Sequence, residues 1–314
     1  MAADPASVAT ANRRRRSSTF VISITPFRAY GVLDETAFRA HLRRMAAAGV
    51  GVYVGGGGSG EGYTLDERET ASVVEIAVDE LRGRTPVRAM GVEPRSAAEM
   101  IQYVRMADSA GAEACQIYSL DPGHGHRPTP DEVEAYFTEI LAAVTSPCVV
   151  STHQSVGYKL RIPLIAELVG RFDHVVGVNC THRDDAYLAQ VIDAVGDRVD
   201  VHVGGPAQAL TNLALGGHGY LTSEANLAPT LCATVTTAHD RADMAGVFDA
   251  FATVLRLSDA LYGAGGIRAT KAVLRHLGLP GGFVRPPQLD ITASTLAALL
   301  DTVDHLHIAT HEGW

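Results

Sequence analysis

The stretch DHVVGVNCTHRDD, residues 173–185, begins as a strand, with Val175, Val176 and Val178, and breaks off in the polar set Asn179, Cys180, Thr181 and His182. An apolar run that delivers polar side chains at its carboxyl end is where parallel α/β enzymes keep their chemistry. The same pattern repeats on both sides of it. Short β-branched runs are predicted as strands at Phe20–Ile24, Val50–Val54, Val87–Met90, Ala114–Tyr118, Cys148–Thr152, Val175–Asn179, Val199–Val203 and Gly219–Thr222. Amphipathic runs separate them, and strands alternating with helices imply a parallel sheet.

Eight such units in about 220 residues predict a (β/α)8 TIM barrel, since a doubly wound sheet uses fewer strands. The expected division is a disordered basic leader over residues 1–18, the barrel over 19–240, and a C-terminal helical extension over 241–314 packed on the barrel. With 46% hydrophobic and 19% charged residues, the chain has the composition of a globular protein. A net charge of -9, with the longest basic cluster confined to Arg13–Arg16, argues against a nucleic-acid partner. No apolar run approaches a bilayer span. Four cysteines without CxxC spacing fit a reducing cytoplasm.

In a barrel the working face lies at the carboxyl ends of the strands. The polar residues expected there are Thr25, Ser59, Glu61, Glu93, Asp121, His124, His126, Arg127, His153, Gln154, Asn179, Cys180, His182, Arg183, Ser223, Glu224 and Asn226. The seventh strand ends in Gly204 and Gly205, which offer backbone groups. After the second strand comes GGGGSGE, residues 55–61, where glycines let backbone N–H groups approach an anion and Ser59 adds a hydroxyl. A flexible turn that needs positive φ values is the competing reading.

Five segments occur in order: ITPFRAYGVLD, GGGGSGEGYTLDERE, HVVGVNC, GGHGYLTSEANLAP and TKAVLRHLGLPGGFVRPP. Together they resemble the dihydrodipicolinate synthase and N-acetylneuraminate lyase family, from Phe20 to Pro287. The resemblance implies a homotetrameric barrel whose glycine loop holds the carboxylate of a 2-oxo acid, and a tetramer or dimer is expected for this chain. It also implies a sixth-strand lysine that forms a Schiff base and a fifth-strand tyrosine that relays protons. Carried over by position, Gly58 and Ser59 stand where the family has hydroxyl residues, Val150 stands for the tyrosine, Ser155 for the arginine that follows it, and Asn179 for the lysine. An asparagine amide forms no imine. The two lysines of the chain, Lys159 in a loop and Lys271 in a late helix, are not expected to substitute.

What the sequence gains at this face is histidine. One expectation is that His153, with His124 or His126, moves protons, while Asn179 donates its amide to a developing oxyanion. The substrate contacts are then Gly57, Gly58, Ser59, Gly204 and Ser223. A second expectation gives the imidazoles a divalent metal, with Asp121, Glu61 or Cys180 as further ligands; no other cofactor is implied. A third is a barrel that has lost catalysis and binds a metabolite or a partner protein. Against each functional role stands a plainer one: His182 opening a helix, Cys180 as a buried hydrophobe, Glu61 bracing its loop, and His202 and His218 as structural residues.

Overall fold

The computed structural model describes residues 16–314. The expected leader falls almost wholly on residues 1–15, outside the described residues. The strands are β1 (Ser18–Ile22), β2 (Gly51–Val54), β3 (Val87–Ala89), β4 (Ala114–Ile117), β5 (Cys148–Thr152), β6 (Val175–Cys180), β7 (Asp200–Gly204) and β8 (Gly219–Thr222). They close in sequence order into a barrel of parallel pairs. Strands covered by helices outside and side chains inside read as fully buried runs, as β2, β4 and β5 do, the valines concentrated in β2 and β5.

Between the strands run α1 (Glu35–Ala47), α2 (Glu67–Leu81), α3 (Ala97–Ser109), α4 (Pro130–Ala143), α5 (Ile162–Arg171), α6 (Asp185–Val195) and α7 (Ala209–Ala214). Their starts are written in the sequence. Asp66 with Glu69, and Thr129 with Glu132, form reciprocal capping boxes, and Ser96 caps α3. After β8 come α8 (Pro229–Asp240), α9 (Met244–Gly263), α10 (Ile267–His276), α11 (Ala293–His305) and α12 (Ile308–Glu312). Residue 240 is the last of α8. No helix among the described residues is long and apolar enough to cross a membrane.

Contacts divide the chain into two compact units. One holds Arg88–Tyr220, and the other joins Ser18–Val87 to Leu221–Trp314. The second unit carries the glycine loop, which is folded tightly on itself: Gly62 N–H donates to Gly56 O at 3.0 Å and Glu61 N–H to Gly58 O at 3.1 Å. A Cβ on Gly62 would stand 2.1 Å from the Gly55 carbonyl oxygen, whereas one on Gly58 would meet nothing within 4 Å. Gly62→Ala should therefore cost about 1–3 kcal/mol of stability by overpacking, and Gly58→Ala should stay within about 0.5 kcal/mol, both read by urea denaturation.

Candidate active site

In the unit Arg88–Tyr220, register decides which side chains line the barrel. Asn179 on β6 pairs with Ser151 on β5 and with His202 on β7, so the three share one face. Asn179 donates its amide N–H to Gln116 Oε1 on β4, across the intervening strand β5. Side chains of non-adjacent strands meet in this way only inside the barrel, so this face is the inner wall. Val150, expected to hold the proton-relay position, alternates to the opposite face. The β5 residue beside Asn179 is Ser151, fully buried, with a hydroxyl that has no hydrogen-bond partner among the described residues. Asn179 itself is 1% exposed.

Higher up, where β5 ends, the side chains reach solvent. His153 and Glu93 are each 26% exposed. The His153 Nδ1 lies 3.2 Å from Glu93 Oε1 and hydrogen-bonds Ser155 Oγ, which in turn donates to Glu93 Oε1 at 2.6 Å. The hydrogen bond from His153 is the largest cause holding the Glu93 carboxyl down at about 2, against burial, which raises it. The Tyr118 ring meets the imidazole edge-on, centroids 5.4 Å apart, and the His153 backbone N–H donates to Ser119 Oγ at 3.1 Å. The result is a half-buried imidazole fixed on one side by a carboxylate and a hydroxyl.

The other expected histidines do not join it. His124 and His126 lie on the exposed loop after β4, with His124 in the left-handed region at φ 52°. His182 does not open a helix on the solvated face; it is buried, edge-on to Tyr187 of α6, with Nε2 unpartnered among the described residues. Burial, then the charge of Lys159, lowers it to about 4. Buried His202 is held neutral by desolvation first, and His218 Nδ1 accepts from Val201 N–H at 3.1 Å. Cys180 is a buried free thiol pushed up to about 11 by burial, with no thiolate character. Gly204 is half-buried at the end of β7, where a Cβ would meet Thr181. No group of three or more His, Cys, Asp or Glu able to hold a metal ion occurs among the described residues.

In the unit joining Ser18–Val87 to Leu221–Trp314, Gly57 is half-buried, Gly58 exposed and Ser59 buried. Beside the loop Glu61 accepts from Lys271 Nζ, from Arg285 N–H at 3.0 Å and from Gln288 Nε2 at 3.0 Å. Ser223 shares a hydrogen bond of 2.9 Å with the Tyr262 hydroxyl. Next to it Glu224, 1% exposed, accepts from Thr222 Oγ1 at 2.5 Å while its other oxygen has no hydrogen-bond partner among the described residues.

The model of the dihydrodipicolinate synthetase family matches residues 15–306. The chain belongs to that family. It is 32% identical over 285 residues to a 4-hydroxy-tetrahydrodipicolinate synthase of Phenylobacterium zucineum, covering 88% of this chain and 94% of the relative. It is 28% identical over 301 residues to an uncharacterized DapA-like lyase of Rhizobium meliloti, covering 94% and 97%. Among solved structures, a prophage protein of the dihydrodipicolinic acid synthase family from E. coli K12, in complex with pyruvate, superposes with a TM-score of 0.85 at 23% identity, covering 93% of this chain and 99% of that one.

Against the family pattern the placement of the two lysines matters. The Lys271 ammonium is buried and gives its hydrogen bonds to Thr25 O at 2.8 Å, Phe283 O at 2.9 Å and the Glu61 carboxylate. Burial draws it down to about 8 while Glu61 opposes the fall. Lys159 pairs with Asp184, both side chains about two-fifths exposed. Lys271→Met should strand the Glu61 carboxylate and cost about 3–5 kcal/mol in denaturant unfolding, whereas Lys159→Met should cost at most about 1 kcal/mol. His182 sets a pH dependence. Its folded value of about 4 lies below the ordinary histidine value of 6.5, so between these the unfolded chain takes up the proton and the folded chain does not. Stability should therefore fall as pH drops from 6.5 to 4, and the slope should flatten in His182→Leu.

Proposed function

We propose that the protein is a lyase or aldolase-like enzyme acting on a small carboxylated substrate, a 2-oxo acid, by acid and base catalysis without a lysine imine. The observation that carries the reading is the half-exposed His153 at the end of β5, anchored to Glu93 and Ser155. The engagement of Lys271 by three acceptors and the pairing of Lys159 with Asp184 support it from the other side. The synthase and lyase names of the relatives, and the pyruvate held by the E. coli protein, support the reaction and substrate class.

In this reading His153 takes a proton from the carbon next to the substrate carbonyl. Gly57, Gly58 and Ser59 receive the carboxylate, with Gly204 and Ser223 as further contacts. Asn179 is assigned the carbonyl oxygen, a role that requires the substrate to displace its Gln116 contact. His124 and His126 retain a role only as loop residues that a bound substrate or a second subunit would draw in. Four buried free cysteines suit a reducing compartment. We place the enzyme in the cytoplasm as a tetramer or dimer, the tetramer being what the family resemblance implies.

Two measurements test the proposal. Borohydride reduction with pyruvate should leave the mass unchanged, and an adduct at Lys159 or Lys271 would overturn it. Exchange of the α-protons of 2-oxo acids in deuterated water, followed by proton NMR, should occur for at least one member of a panel and fall about 10²- to 10⁴-fold in His153→Ala. A chain that exchanges none of them is better read as a binding barrel.

A further inference from the structure

The carboxylate at the end of β3 belongs to no expected role, yet it faces the imidazole. We infer that Glu93 is a positioning residue that fixes His153 as the Nδ1–H tautomer, so that Nε2 is the nitrogen that takes the substrate proton. The inference rests on the assignment of His153 above and specifies its chemistry.

Glu93 is ionised at neutral pH and can only accept. Ser155 has a single hydroxyl proton, and with its Oγ 2.6 Å from Glu93 Oε1 that proton points to the carboxylate. The Ser155 oxygen, already donating, can meet His153 Nδ1 only as an acceptor. Glu93 Oε1, at 3.2 Å from the same nitrogen, is likewise only an acceptor. Both contacts need a proton on Nδ1. A bare Nδ1 would direct its lone pair at a carboxylate oxygen and a hydroxyl oxygen with no hydrogen between them. In a neutral ring the remaining nitrogen then holds the lone pair, because the bond made by one imidazole nitrogen sets the state of the other. Proton uptake at Nε2 yields an imidazolium whose Nδ1–H already lies against the anion that stabilises it.

Two further contacts make the orientation specific. The Tyr118 ring, edge-on at 79°, blocks rotation of the imidazole, and the backbone N–H of His153 is fixed by Ser119. The same placement of protons removes a competing use of these residues. Ser155, His153 and Glu93 have the composition of a nucleophilic triad, but the serine proton points to the carboxylate and not to the imidazole, so Ser155 is not activated for acyl transfer. The geometry is built for moving a proton between His153 and a carbon or oxygen of the substrate.

The test needs no substrate. Protein labelled with ¹⁵N in the histidine rings, with the His153 signals assigned by their loss in His153→Gln, should show a protonated Nδ1 and a bare Nε2 at pH 8. Glu93→Ala should shift the ring toward the Nε2–H form that free imidazole prefers, while Ser155→Ala should leave the Nδ1–H form in place. A native spectrum with the proton on Nε2 would overturn the inference, as would a Glu93→Ala spectrum identical to the native one in a variant shown to be folded by circular dichroism. Because the spectra are recorded without turnover, they are independent of the exchange assay on His153→Ala, which decides separately whether His153 is the base.

Discussion

The alternation of side chains along closed parallel strands is the constraint on which everything at this site depends. In a closed barrel each residue of a strand faces either the wall inside or the helices outside, and a shift of one position exchanges the two. Asn179, Ser151 and His202 are neighbours in register, and Gln116 reaches Asn179 across β5. Polar side chains inside a core call for partners, and of these four the Ser151 hydroxyl has none among the described residues. The Asn179 to Gln116 bond joins two of the others and ties the Asn179 side chain into the wall.

A second constraint acts in the unit that carries the glycine loop. Glu61, itself in the left-handed region at φ 51°, gathers Lys271, Arg285 and Gln288. Arg285 then spans Glu69 on α2 and the Gly31 and Thr64 carbonyls. A buried ion pair contributes little net stability over an apolar substitute, but losing one partner leaves an uncompensated charge. The pair is therefore better understood as fixing the path of residues 55–61 against α10 and the connector that follows it than as a reserve of stability. It also engages the Lys271 ammonium, which gives its remaining hydrogen bonds to the Thr25 and Phe283 carbonyls.

The architecture was legible because strand runs, caps and glycine turns are local signals. β5 and β8 coincide with the runs Cys148–Thr152 and Gly219–Thr222. β1 begins two residues earlier than its apolar run, since Thr19 is buried by bonding Thr236 and the Cys232 carbonyl on α8, a partnership more than 200 residues distant. The site was legible only in part. His153 could be found because it follows a strand. Glu93, 62 residues from Ser155 in sequence, carries no local sign that it meets His153. Val150, read as the relay position, pairs with Val178 and so faces away from the wall that Asn179 and Ser151 share, which periodicity alone does not reveal. Strand order groups His124 and His126 with His153, but the direction of a loop containing Asp121, Gly123 and Gly125 is set by turn geometry, including Gly123 N–H donating to Asp121 at 2.9 Å.

These constraints together explain why chemistry without an imine would sit at the rim. A lysine on the inner wall carries its amine up a four-carbon stem to the substrate, whereas the amide of Asn179 stays at the depth of the wall, beside Gln116. An amide at that depth acts only on an oxygen that enters the interior at the cost of the Gln116 contact, as the proposed carbonyl role of Asn179 requires. A group one step beyond the strand, on the inner-facing side of the alternation, avoids that cost, and His153 occupies that position two residues after Ser151. Its exposure is what makes an anchor necessary: a free imidazole at a barrel rim samples both tautomers and several orientations, and each wrong one subtracts from catalysis. On the proposed assignment Glu93 supplies the restraint that burial would otherwise have provided, and the asparagine at residue 179 and the carboxylate at residue 93 then belong to one arrangement.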